Sequence, residues 1–147
     1  MTVKRIRTTY FLKKLLRTHN LENFLEQNGK QMETHKFDKY IQNICKEKKM
    51  VRAHVINRAE IDKSLGYQIF NGIRKPTRDK ALQIAIALEL DYKETQKLLT
   101  IAKKHVLHPK IKRDAVIIHA IENKLGVLAL QDMLYKLTIP LLGEKHD

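Results

Sequence analysis

Residues 62–78 read DKSLGYQIFNGIRKPTR, and the fold follows from how this stretch is punctuated. Asp62 is a residue type that accepts from the free N–H groups opening a helix, here Lys63–Phe70. Gly72 stands just past its last turn, where a left-handed closing residue is most easily a glycine. Thr77, directly after Pro76, caps a further helix over roughly 78–90, RDKALQIAIALEL, whose nearly all-round hydrophobicity makes it central to a core. A short helix over roughly 52–59 precedes the stretch with almost no linker.

Working outward, Phe37, Tyr40, Ile41, Ile44 and Cys45 form the stripe of one buried helix face, closed by Lys46, Lys48 and Lys49 at its C-terminal dipole. Cys45 lies inside the stripe and reads as a small buried hydrophobe rather than a reactive thiol. Asp91 and Glu94 form a capping box that opens a helix carrying Leu98, Leu99 and Ala102. The segment Val106–Lys112, with His108-Pro109, is a break. Residues 113–125 form another core helix ended by Gly126, and residues 127–137 a last one through Leu130, Leu134 and Leu137. Upstream, residues 2–8 form a basic arm. Tyr10–Arg17 and a stretch capped by Asn20 are amphipathic, and NGKQMETHK (28–36) reads as a polar linker. The expected organisation is an arm and helical appendage (1–36), a helical core (37–106) and a C-terminal helical pair (107–147).

The 147 residues suffice for one compact domain with appendages. One cysteine excludes an internal disulfide framework and a Cys-based zinc site, and five glycines and three prolines leave little room for a loop-rich β fold. No run approaches the ~18 apolar residues of a membrane span, and no signal-peptide core opens the chain. The composition predicts an all-α, cytoplasmic protein with no membrane partner. Its formal charge is +13, and residues 1–77 hold +10 of that. A basic half joined to a nearly neutral half suggests a polyanion-binding face beside a structural or partner-binding region, although a solvated basic surface has the same composition.

Two helices joined by a tight turn, the second followed by N-G-x-R-x-P-T-R, resemble the lambda-repressor/Cro-like (Xre-type) helix-turn-helix family. The match runs from Phe37 to Asp91, and the spacing from Asp62 to Gly72, the Asn-Gly, the Arg-x-Pro-Thr and the long apolar helix fall where that family has them. The sequence departs from the pattern in three places. Ile56 stands where the family usually has Ala, and Gly66 where it has a bulky aliphatic residue. These two positions pack together in the family, so the exchange conserves volume. Glu60 stands where the inter-helix turn favours Gly.

The resemblance implies a compact helical domain built on a helix-turn-helix, with helical extensions at both ends. Its second helix enters a DNA major groove roughly 12 Å wide. Position by position, it makes Lys63, Ser64, Tyr67 and Gln68 the base-reading face and points Leu65, Ile69 and Phe70 inward. Lys donates to guanine, Gln pairs with adenine, and Ser serves either. Arg52, Asn71, Arg74, Lys75, Thr77 and Arg78 become phosphate contacts. An ordinary polar face and a solvated charge cluster are the alternatives. Lys4, Arg5 and Arg7 of the arm either enter a minor groove or form a tail.

The expected partner is double-stranded DNA, bound by a homodimer at a two-fold site, as a bacterial or phage-type transcriptional regulator. Helices 113–137 are the expected dimerisation or protein-partner surface, or else simply cover the core. No phosphate loop, H-E-x-x-H or G-x-S-x-G occurs, so no enzyme and no cofactor are expected. His105 and His108 lack the companions a metal needs. A non-catalytic adaptor that uses the same fold for protein or RNA contacts is the competing reading.

Overall fold

The computed structural model describes residues 8–32 and 36–143, the side chains of 30–32 excepted. The described residues are all-helical, with no strand among them. No described helix is long and apolar enough to cross a membrane. The chain divides into two compact units, Met1–Thr34 and His35–Asp147.

The first unit holds α1 (Thr8–Arg17) and α2 (Leu21–Met32). Asn20 caps α2 as expected, its Oδ1 accepting from the Asn23 N–H at 3.0 Å. The polar stretch from residue 28 is not all linker, because α2 continues through Gly29 to Met32. Gly29 costs only about 1 kcal/mol against Ala in a helix. Asn28 keeps its amide inside the helix by donating to the Phe24 carbonyl at 2.9 Å. The arm residues Lys4, Arg5 and Arg7 lie outside the described residues.

The second unit holds α3 (Phe37–Lys48), α4 (Arg52–Arg58), α5 (Lys63–Phe70), α6 (Arg78–Ala87), α7 (Tyr92–Ile101), α8 (Lys112–Glu122) and α9 (Val127–Lys136). Every residue of α6 from Ala81 to Ala87 is buried, and the helix packs against α4, α7 and α9. A single apolar cluster runs from Ile41 and Cys45 on α3 to Ile117 on α8, Leu130 and Leu134 on α9, and Leu142 in the tail. The C-terminal pair therefore completes the same core as α3–α7. Its outer face leaves Leu128, Tyr135 and Leu137 exposed.

Helix starts and helix ends are written differently in this sequence. Asp62, Thr77 and Asp91 cap α5, α6 and α7 by accepting from the N–H three residues on, and Asp91 and Glu94 complete a capping box. At the other ends, α3 to α9 each close on a left-handed residue, but only Gly72 is a glycine. The others are Lys49, Glu60, Glu89, Lys103, Lys124 and Thr138. α6 consequently stops at Ala87 rather than near residue 90. Likewise α8 ends at Glu122 and turns on Lys124, while Gly126, at φ −78°, caps the start of α9 instead of closing α8. A side chain in the left-handed region costs about 1–2 kcal/mol. Lysine offsets part of this at a helix C-terminus by its charge. Glu60 has the opposite sign, so the α4–α5 turn keeps its geometry at a penalty.

Two crossed ion pairs join α6 to α8. Each helix carries an Arg-Asp dipeptide in its first turn, Arg78-Asp79 and Arg113-Asp114. Arg78 Nη1 and Nη2 donate to the Asp114 carboxylate at 3.1 and 3.0 Å, and Arg113 donates to Asp79 at 3.0 and 2.9 Å. Arg113 also donates to the carbonyls of Pro140 and Leu141, and Asp79 accepts from the Gly143 N–H. Gln131 brackets Leu142 through both backbone groups, so the tail is strapped over the start of α6. Gln96 brackets Leu107 in the same way and holds the break before α8.

Candidate nucleic-acid interface

α4 and α5 are separated by residues 59–62, and what seats α5 on α4 is the absence of a side chain. A Cβ on Gly66 would lie 2.8 Å from Ile56 Cγ1, 3.0 Å from Cδ1 and closer still to Cγ2. Ile56 thus fills the space that a side chain at 66 would occupy. The two positions complement each other in volume. Asp62 Oδ2 holds the start of α5 by accepting from the Leu65 N–H at 3.2 Å. Gln42 on α3 holds its end, donating to the Phe70 carbonyl at 2.5 Å. Ile69 and Phe70 are buried and Leu65 is half-buried, which fixes the opposite face outward. On that face Lys63 and Ser64 are exposed, while Tyr67 and Gln68 are half-buried.

The loop after α5 is rigid by construction. The Ile73 N–H donates to the Gln68 carbonyl at 2.9 Å and the Gly72 N–H to that of Ile69 at 3.2 Å, closing the helix in a Schellman turn. Gly72 has φ +75°, a conformation that favours glycine, and a Cβ there would have to displace the Asp38 carboxylate, whose Oδ2 would lie 2.6 Å away. Pro76 is buried, and Thr77 Oγ1 accepts from the Lys80 N–H.

The phosphate-contact candidates separate into two groups. Arg52 crosses from the start of α4 to Asn71, donating to its Oδ1 at 2.7 Å while its guanidinium lies 5.5 Å from the Phe70 ring centre. Arg52 and Asn71 therefore form one unit at the end of α5. Asn71, Arg74, Lys75 and Thr77 are exposed along the loop, and neither Arg74 nor Lys75 takes an ion pair among the described residues. Arg78 turns the other way. Besides Asp114 it donates to the carbonyls of His105 and Val106, so it anchors the start of α6 instead of extending the loop.

Charge and spacing do not single out Ile73, which is 75% exposed in the middle of this basic loop. Its only signal in the sequence is an apolar residue inside N-G-I-R-K-P. Val51, ahead of α4, is also exposed. Cys45 packs in the core, and burial pushes its thiol pKa above the ordinary value, partly opposed by the charge of Arg52. It is a packing residue. The His108 Nδ1 accepts from the Lys110 N–H, a loop-shaping role, and no metal-holding group of three His, Cys, Asp or Glu occurs among the described residues.

Within the stretch from Lys63 to Lys75 every charged residue is a cation. Two carboxylates adjoin it: Asp62 is engaged as a helix cap, and Asp38 of α3 lies against Gly72. Such a face can attract a polyanion and present hydrogen-bond donors to it. Compared with known proteins, the chain matches no family model, no curated protein and no solved structure.

Proposed function

We propose that this protein is a sequence-specific double-stranded DNA binder, a transcriptional regulator of the bacterial or phage type working in the cytoplasm. The α4–α5 pair is its helix-turn-helix, of the lambda-repressor-like kind. The observation that carries the reading is the outward face of α5 running straight into a rigid basic loop. Lys63, Ser64 and Gln68, with the edge of Tyr67, read base edges in the major groove. Arg52, Asn71, Arg74, Lys75 and Thr77 hold phosphates, which set register and supply most of the affinity. The protein's part is non-catalytic. One α5 makes a small interface, so tight binding requires a dimer on a two-fold site.

The division of labour is testable by substitution. Lys63→Ala or Gln68→Ala is expected to cost about 1–3 kcal/mol against the preferred duplex and to leave binding to bulk DNA nearly unchanged. Arg74→Ala or Lys75→Ala is expected to weaken both equally and to lower the salt slope by about 1 per lost contact. Arg78→Ala should not change the salt slope, because Arg78 faces Asp114. Fluorescence-anisotropy titrations over a range of salt concentrations distinguish the three behaviours. If the Lys63 and Gln68 variants changed only the salt slope, α5 would be a non-specific polyanion contact, as the adaptor reading requires.

A further inference from the structure

Two pairs of exposed leucines, one on α1 and one on α2, are flanked by opposite charge. On α1, Leu12, Leu15 and Leu16 are exposed; a cation follows Leu12 and Leu16, Lys13 and Arg17 respectively, and Leu15 widens the apolar stripe on the side away from them. On α2, Leu21 and Leu25 are exposed, and each is followed by a carboxylate, Glu22 and Glu26. A spacing of four stacks each leucine pair into a one-turn stripe, and the next residue lies about 100° round the helix, along the edge of that stripe. Lys13, Arg17, Glu22 and Glu26 are all exposed, and none takes an ion pair among the described residues. Lys14 is differently placed, donating to Tyr10 and Asn28.

Leu16 is 77% exposed and Leu21 56%, so α1 and α2 do not cover each other's stripes. Contiguous apolar surface rimmed by charge marks an interaction site. We infer that α1 and α2 form a two-fold interface with a second copy of this chain, α1 of one copy packing on α2 of the other. This inference rests on the first unit alone and does not depend on the DNA reading.

Charge selects the partner. Pairing α1 with α1 of another copy would oppose cation to cation, and α2 with α2 would oppose carboxylate to carboxylate. Only the α1–α2 pairing meets every charge with its opposite. In a two-fold assembly that contact occurs twice, as an isologous interface does. The charge follows the leucine by one residue on both helices, so the two charged edges fall on the same side of the seam only when the helices run antiparallel. Lys13 and Arg17 then flank Glu22 and Glu26 of the second copy. An anionic membrane would suit the basic, amphipathic α1 but would repel the acidic edge of α2.

The test is sedimentation equilibrium of the full-length chain, without DNA, at micromolar concentrations. The wild type is expected to dimerise. Reversing the basic edge, Lys13→Glu with Arg17→Glu, is expected to weaken the dimer about tenfold or more, since like charges then face each other across the seam. Adding Glu22→Lys and Glu26→Lys restores the complementarity and is expected to restore the dimer. Recovery in the fourfold variant distinguishes a specific interface from damage to either helix. A Tyr135→Asp variant on the exposed face of α9 should dimerise like the wild type. The inference is overturned if the wild type stays monomeric, or if its dimer ignores the reversal or is lost with Tyr135→Asp. It is equally overturned if the fourfold variant fails to recover. A monomer that binds phosphatidylserine vesicles through Leu12 and Leu16 would overturn it in favour of a membrane surface.

Discussion

Replacing Asp114 by alanine is expected to destabilise the fold by about 2–4 kcal/mol, among the largest effects of any single polar substitution. Removing one partner of a buried pair typically costs about 3–5 kcal/mol, because the remaining charge stays desolvated without compensation. The Asp114 side chain is only 3% exposed and that of Arg78 24%, which places this pair near but below that range. The carboxylate also accepts from the His108 N–H at 2.9 Å, so its loss frees a backbone donor in the loop before α8. Arg58 and Glu89 provide the contrast. Their side chains are 50% and 60% exposed, and Arg58→Ala should cost no more than about 1 kcal/mol. Urea denaturation at constant m-value measures both. Equal effects from the two substitutions would mean that the α6–α8 crossing does not hold the fold together.

The second large effect concerns Ile56 and Gly66. Ile56→Ala alone is expected to cost about 2–5 kcal/mol, by opening a cavity under α5 that the backbone cannot collapse to fill. Gly66→Leu alone is expected to cost at least about 1–3 kcal/mol by overpacking, despite the better helix propensity of leucine. Together they exchange the large and the small partner across the same contact and keep its volume. The double variant should then recover most of the loss, with a coupling of roughly 2 kcal/mol or more. Strictly additive losses in the double-mutant cycle would show that the two residues are not a compensated pair.

The region around α5 was legible because its boundaries are chemical. Asp62, Thr77 and Asp91 are residue types that cap helices, and Gly72 is the residue type a left-handed turn adopts most easily. Each of them does this in the structure. The apolar periodicities of α3, α6 and α7 likewise became buried faces. What could not be read was of two kinds. Helix ends that turn on Lys, Glu or Thr carry no glycine to announce them. The lengths of α6 and α8, and the part played by Gly126, were therefore misplaced by a few residues. Partners far apart in the chain were equally hidden. Arg78 adjoins a basic loop in sequence, yet its carboxylate lies 36 positions on. The matching Arg-Asp dipeptides gain meaning only once the first turns of α6 and α8 meet.

In the candidate interface, residue types and order were visible in advance, but orientation was not. Lys63 and Ser64 face solvent as a reading face requires, while Tyr67 and Gln68 share their surface with the fold. Arg52 donates directly to Asn71 across 19 positions while its guanidinium lies against the Phe70 ring, contacts no spacing rule supplies.

The most direct test of the central claim is a selection from random duplex DNA near physiological salt, with affinity for the recovered sequences compared against bulk DNA. A recovered two-fold motif bound ~10³-fold or more over bulk, and lost with Lys63→Ala, is the predicted result. Recovery of no motif, with an affinity that falls steeply as salt rises, would contradict the account and leave α5 as a polyanion contact without sequence preference.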